Sequence, residues 1–323
     1  MPLPAADGGD DETSSAAPAD ANSVGYAERM NESMKNHGIQ AWLTDMDGVL
    51  VHEDEALPGA VEFIETLKET GTPFLVLTNN SIFSRRDLNW RLHASGIDIP
   101  EENIWTSALA TAEFVSQQMP GGKAYVVGEA GLTTALHDVG YVLTDKNPDY
   151  VIIGETRNYS FEQLTRALQL IQGGARFICT NPDYTGPSSS GDLLAAGAVA
   201  EMIHKASGFE PYFIGKPNPI FFRTALNKLT AHSKTTAMIG DRLDTDIRAG
   251  LEAGVETFLV LTGISKADSV DKFPFKPSHV VNSISDLIPL AKGAHPDTLE
   301  KPKELPQPAK SVQSAPAAAA KRK

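Results

Sequence analysis

The chain has 323 residues, 41% hydrophobic and 21% charged, with 41 Asp and Glu against 28 Lys and Arg for a net charge of −13. That balance disfavours a nucleic acid polymer as partner, because binding one takes basic contacts to phosphates. A small phosphorylated ligand stays compatible, since one cation and one or two local Lys or Arg reverse the field inside a cleft. No apolar run reaches the ~18 residues of a membrane span, so no membrane partner is expected. The first residues, MPLPAADGGDDETSS, show neither the basic nor the apolar region of a secretory leader. Cys179 is the single cysteine, so no intrachain disulfide forms and a reducing, cytoplasmic location is expected.

In chain order, residues 1–38 form an acidic segment of Ala, Asp, Ser, Gly and Pro with few large apolar side chains, and are expected to be disordered. Strand-like apolar runs then alternate with amphipathic stretches. The strands are AWLTDMDG, PFLVLTNN, AYVVGE, YVIIGE, RFICTNPD, TTAMIGD and TFLVLTG. The helices are AVEFIETLKETG, RRDLNWRLHASG, ALATAEFVSQQ, FEQLTRALQLIQGG, LAAGAVAEMIHKASG, PIFFRTALNKL and TDIRAGLEAG. Many of these helices close on Gly, as a helix C-terminus favours. The alternation predicts an α/β fold, a doubly wound and mainly parallel sheet with helices on both faces. Residues 39–120 and 211–293 are expected to form its core. Residues 121–210 carry strand and helix signals of their own and are expected to form an inserted α/β cap domain. Residues 294–323 read as a second disordered segment, basic in character.

In such sheets a site lies beyond the carboxyl ends of the strands. Four strand ends carry candidate chemistry. In W-L-T-D-M-D-G-V-L-V an apolar strand runs into Asp45, with Asp47 two residues on and Gly48 permitting a tight turn. Two carboxylates at that spacing suit a hard cation such as Mg²⁺, although an isolated D-x-D is more often turn chemistry. In L-V-L-T-N-N-S, Thr78 and Asn79 offer a hydroxyl and an amide to a phosphoryl oxygen, or simply a turn. In F-I-G-K-P-N-P, Lys216 precedes a helix and can neutralise a phosphoryl group or Asp45, or be an ordinary surface lysine. In A-M-I-G-D-R-L-D-T-D, Asp241 is a further candidate contact to the ion, and the backbone N–H groups of Arg242, Leu243, Asp244 and Thr245 open a helix that could face an anion.

Taken together and in this order, the four motifs resemble those of the haloacid dehalogenase superfamily. ALPGAVEFIETL, TNNS, WTSALATAEF, PDYVIIGETR, GARFICTNPD, YFIGKPNP and GDRLDTDIRAGLEAG resemble, more narrowly, the NagD-type (class IIA, C2-capped) ribonucleotide monophosphatases, over residues 39–290. The resemblance implies an Mg²⁺-dependent phosphatase with Asp45 as nucleophile, forming an aspartyl-phosphate, and Asp47 as general acid and then base. It implies metal contacts from the Asp45 and Asp241 side chains and the Asp47 backbone carbonyl. It implies phosphoryl contacts from Thr78, Asn79 and Lys216, with residues 242–245 lining the pocket. Ribonucleoside monophosphates such as UMP and GMP, with other small phosphoesters, are the expected substrates. The R-L-D-T loop after Asp241 is closer to the phosphoglycolate and pyridoxal-phosphate phosphatases, which form the alternative expectation.

Within the expected cap, Glu155, Arg157, Asn181, Asp183 and Tyr184 lie at strand ends and are expected near the pocket. GEAGLTT lacks the lysine of a phosphate loop and reads as a cap turn. Cys179, inside an apolar run, reads as core. A dehalogenase would not need Asp47, a receiver-like phospho-acceptor module would lack the insert, and a catalytically dead scaffold would not keep all four motifs.

Overall fold

The computed structural model describes residues 38–186 and 191–299. In chain order the elements are β1 (Ala41–Asp45), β2 (Val51–His52), β3 (Glu55–Ala56), α1 (Ala60–Thr70), β4 (Phe74–Thr78), α2 (Arg85–Ala94), β5 (Ile104–Thr106), α3 (Ser107–Gln118), β6 (Lys123–Val127), α4 (Ala130–Asp138), β7 (Val142–Leu143), β8 (Tyr150–Ile153), α5 (Phe161–Gln172), β9 (Arg176–Cys179), β10 (Thr185–Gly186), β11 (Leu193–Leu194), α6 (Ala196–Ser207), β12 (Tyr212–Phe213), α7 (Pro219–Leu229), β13 (Thr236–Gly240), α8 (Arg248–Ala253), β14 (Glu256–Val260), β15 (His279–Val281) and α9 (Ile288–Ala291). A π-helical turn, Leu243–Ile247, leads into α8.

Six strands form a parallel sheet in the order β15-β14-β13-β1-β4-β5. The chain enters at β1 near the centre, moves out through β4 and β5, and returns on the other side of β1 with β13. Strand order therefore reverses at β1, which is where a doubly wound sheet opens a crevice at its carboxyl edge. Register sets the strand ends level there: Asp45 pairs with Leu77, and Thr44 with Ile239. Every residue of β1, β4, β13 and β14 is buried, which is why the centres of these strands read as near-continuous apolar runs with polar residues confined mostly to their ends. Alternation still decides the face: Trp42 joins one core layer with Phe63 and Phe258, while Leu43 joins the other with Phe221 and Phe222.

A second parallel sheet, in the order β12-β9-β8-β6-β7, is built between α3 and α7. Leu43 and Ile152 belong to the same apolar cluster, so the two sheets share a continuous core. The far face of the second sheet has its own core, with Val151, Phe177, Cys179 and Val199.

The described structure amends several expectations. Tyr212 and Phe213 pair with β9, so the second sheet extends past residue 210. GEAGLTT is not a turn but the entry to α4. Its second glycine answers a packing need: a Cβ on Gly131 would overlap the carbonyl oxygen of Phe83, and the Gly131 N–H donates to Ile82 O at 2.9 Å. Residues 294–299 belong with the core rather than a tail, because Pro296 is buried and Leu299 packs on the apolar cluster. The expected tails at 1–37 and 300–323 lie outside the described residues. Among those residues, no helix is long and apolar enough to cross a membrane.

Candidate active site

The central strands deliver three carboxylates and one ammonium to a single point. Asp45 ends β1, Asp241 follows β13, and Asp246 hangs from the π-helical turn. One oxygen from each carboxylate lies within 4.8 Å of the others, and all three residues are buried. Lys216 reaches in from the loop between β12 and α7. Its Nζ is 2.8 Å from Asp45 Oδ1 and 2.7 Å from Asp246 Oδ1, and the residue is 2% exposed. The Met46 N–H donates to Asp45 Oδ1 at 2.8 Å, so that oxygen is fixed from two sides.

Glycines make this packing possible. Gly48 turns the chain at φ 81°, and a Cβ there would stand 2.6 Å from Asp241 Oδ2. A Cβ on Gly263 would overlap the same oxygen, and one on Gly240 would overlap the Asp246 side chain. Asp241 Oδ2 accepts the Ile264 N–H at 2.7 Å, and Thr262 Oγ1 donates to Gly48 O at 2.6 Å.

Burial, and then the neighbouring Asp246, push Asp45 well above the ordinary carboxylate range against the pull of Lys216. The same two causes raise Asp241 to about 6. Burial works against a charge on Lys216, but Asp246 and Asp45 outweigh it and hold the ammonium above its ordinary value. Three buried carboxylates against one ammonium leave an excess of negative charge. Their oxygens are the hard ligands that a divalent cation takes, so the cluster fits such an ion.

Asp47 is not among the three clustered carboxylates. Its Oδ1 takes Arg91 Nη2 at 3.2 Å, and 49% of its side-chain surface is open. Burial by the surrounding chain raises it despite Arg91, with solvent at its exposed edge screening both effects. Arg91, on α2, also binds Asp54 Oδ1 at 3.2 Å and the carbonyl of Glu53, tying the β2–β3 hairpin to the site.

The remaining expected site residues divide. Thr78 is buried at the end of β4, where its Oγ1 accepts the Asn80 N–H at 3.1 Å. The Asn79 amide is fully engaged: Oδ1 accepts the Lys216 N–H at 2.8 Å, and Nδ2 donates to Lys216 O at 3.0 Å and to Asp183 Oδ2 at 2.8 Å. It braces the lysine loop rather than presenting a donor to a phosphoryl group. In the 242–245 loop, the Arg242 N–H goes to Asp246 Oδ2 at 3.2 Å and the Leu243 N–H to Ser265 Oγ at 3.1 Å. Those two groups therefore do not face an anion. Asp244 is paired with Arg242 at 2.8 Å, and Thr245 is buried.

From the second sheet, Asp183 binds Asn79 and, at 3.1 Å, Arg242 Nη1. Asn181 stands behind it, donating to Asp183 Oδ2 at 2.9 Å and Glu155 Oε1 at 3.2 Å. Burial raises Glu155 to about 7. Arg157 and Tyr184 are exposed.

Sequence reasoning missed Asp246 and Arg91 as site residues. A further acidic residue five positions past Asp241 is the available signal for Asp246; Arg91 reads as any surface helix arginine.

The profile described as haloacid dehalogenase-like hydrolase matches residues 42–142, and a second, HAD-hydrolase-like, matches 213–287. The chain is 60% identical over 247 residues to dihydroxyacetone phosphatase of Corynebacterium glutamicum, covering 76% of this chain and 90% of that one. It is 45% identical over 249 residues to the ribonucleotide monophosphatase NagD of Escherichia coli, covering 77% and 98%. The solved structure of that NagD superposes with a TM-score of 0.73 at 44% identity, over 77% of this chain and 98% of the other. A 4-nitrophenylphosphatase of Thermotoga maritima gives 0.75 at 33%, over 78% and 97%.

Proposed function

The chain belongs to the haloacid dehalogenase-like hydrolases, among the NagD-type phosphatases, and we propose that it hydrolyses small phosphomonoesters through an aspartyl-phosphate on Asp45 with Mg²⁺ as cofactor. The observation that carries this reading is the Asp45 carboxylate, clasped by Lys216 and packed against Asp241 and Asp246 at the strand-order reversal. The side chains of Asp45 and Asp241, with Asp246 beside them and the Asp47 backbone carbonyl, would hold the ion. When bound, it offsets repulsion between the anionic nucleophile and the anionic phosphoryl group.

The protein's own groups do the rest. The Met46 N–H and Lys216 hold Asp45 Oδ1, which leaves the other carboxylate oxygen to attack phosphorus as the bond to the leaving oxygen breaks. Lys216 spreads the charge of the transferring phosphoryl. Asp47 gives its proton to the leaving oxygen, and its raised pKa favours the protonated form this step needs. It then takes a proton from the water that attacks phosphorus. The bond to Asp45 breaks, phosphate leaves and the carboxylate is restored. Two such steps are each easier than direct hydrolysis.

The substrate is a small phosphorylated metabolite. Ribonucleoside monophosphates are the first reading, supported by the likeness to NagD. A three-carbon phosphate ester is the second, supported by the 60% identity to a dihydroxyacetone phosphatase. The single thiol, buried and pushed by that burial to about 12, suits work in a reducing compartment such as the cytoplasm. The test is turnover of 4-nitrophenyl phosphate by wild type and Asp45→Asn, with Mg²⁺ and with EDTA. Loss in both the variant and EDTA is expected; wild-type turnover in either one refutes that part of the assignment. A panel of nucleotides, dihydroxyacetone phosphate, phosphoglycolate and pyridoxal phosphate then ranks the substrates by kcat/KM.

A further inference from the structure

Asp183 belongs to the second sheet, just beyond β9, yet both its oxygens lead to Lys216. Oδ2 accepts from Asn79 Nδ2 at 2.8 Å, and Asn79 brackets the Lys216 backbone, taking its N–H at 2.8 Å and donating to its carbonyl at 3.0 Å. Oδ1 pairs with Arg242 Nη1 at 3.1 Å; the Arg242 N–H binds Asp246 Oδ2 at 3.2 Å, and Asp246 Oδ1 meets Lys216 Nζ at 2.7 Å. One arm fixes the lysine's backbone and the other its ammonium. Asn181 adds a third donor to Asp183 at 2.9 Å, and the Asp183 side chain is only 11% exposed. Three donors nearly fill a carboxylate with about four acceptor sites, which suits a brace better than a reader of substrate hydroxyls.

We propose that Asp183 is a positioning residue, through which the seating of the second sheet on the core aligns Lys216 for phosphoryl transfer. The proposal rests on the reading that Lys216 serves the phosphoryl group. Its two arms differ in kind. The Asn79 arm ties Asp183 to the lysine's backbone through one amide side chain, whereas the Arg242 arm runs through an ion pair toward Asp246, the carboxylate that meets the lysine's ammonium. Losing Asp183 releases both at once and leaves the Arg242 guanidinium with Asp244 alone, so the turn that carries Asp246 can drift with it.

The test uses the full-length protein with Mg²⁺. Asp183→Ala is expected to lower kcat by about 10- to 100-fold, the usual effect of removing a partner behind a functional group, with KM little changed. The loss should be equal for 4-nitrophenyl phosphate and for glycerol phosphate, because the ammonium serves the phosphoryl group common to both. In an Asn79→Ala/Arg242→Met background, where neither arm exists, Asp183→Ala should lower kcat no further. Asp183→Asn, which keeps one acceptor oxygen, should lose less than Asp183→Ala and carries the test if the alanine variant melts early. Unequal losses on the two substrates would overturn the proposal in favour of leaving-group contact. An undiminished loss in the armless background, or wild-type kcat in both single variants, would also overturn it. Failure of the reaction assignment shows separately, as turnover surviving Asp45→Asn.

Discussion

Replacing Lys216 by Met keeps an apolar stem at the same buried position but removes the charge between Asp45 and Asp246. Because Nζ lies 2.8 and 2.7 Å from these carboxylates and the lysine is 2% exposed, water cannot replace it. Breaking a buried pair from one side costs about 3–5 kcal/mol, a large share of the ~5–15 kcal/mol that holds a typical domain together. Urea unfolding at neutral pH in EDTA should show that loss. Adding Asp45→Asn to Lys216→Met removes one of the stranded charges, so the double variant should be more stable than the two single losses summed, by at least about 1 kcal/mol of coupling. Mg²⁺ should return part of the loss to Lys216→Met, since a ligand bound only by the folded state stabilises it. A loss below about 1 kcal/mol, or additive single variants, would refute the view that Lys216 is the charge on which this cluster depends.

Three other outcomes follow from the same geometry. Gly263→Ala places a Cβ into Asp241 Oδ2; it should destabilise by about 1–3 kcal/mol and abolish the rise in melting temperature on adding Mg²⁺, as read by thermal shift. In metal-free enzyme, Asp241 holds its proton up to about 6 against 3.8 for the free side chain. Its contribution is therefore full below the lower value and lost as pH rises through the higher, a difference of about 3 kcal/mol, visible as a falling gap in stability between wild type and Asp241→Asn. Arg91→Met removes the guanidinium that pulls Asp47 down, so the alkaline limb of kcat/KM should move to higher pH; an unmoved limb would separate Asp47 from the acid role.

The long central strands were legible because burial on both faces leaves near-continuous apolar stretches, as in the FLVL of β4 and the FLV of β14. The short edge strands Ile104–Thr106 and Tyr212–Phe213 were not, since two or three residues carry no period and their pairing is set by the neighbour. Residues 130–138 contain Leu132, Ala135 and Leu136 at helical spacing, but Gly128 and Gly131 masked it; Gly131 is there for a close approach to the Phe83 carbonyl, which no local pattern reports. Asp45 and Asp241 were readable from strand ends, and Lys216 from the F-I-G-K-P-N-P run that opens a helix. Asp246 was not, because the chain leaves Asp241 through a π-helical turn, and a residue five positions on faces back only in that geometry. The braces, Asp183 on Asn79 and Arg91 on Asp47, join positions 104 and 44 residues apart and exist only once both ends are folded.

In the proposed reaction Asp45 carries the phosphoryl group. Rapid acid quench of enzyme during turnover of 4-nitrophenyl phosphate with Mg²⁺, followed by peptide mass spectrometry, tests it directly. A phosphoryl group is expected on the peptide containing Asp45, absent from Asp45→Asn. Steady turnover with no labelled peptide, or label on another residue, would contradict it.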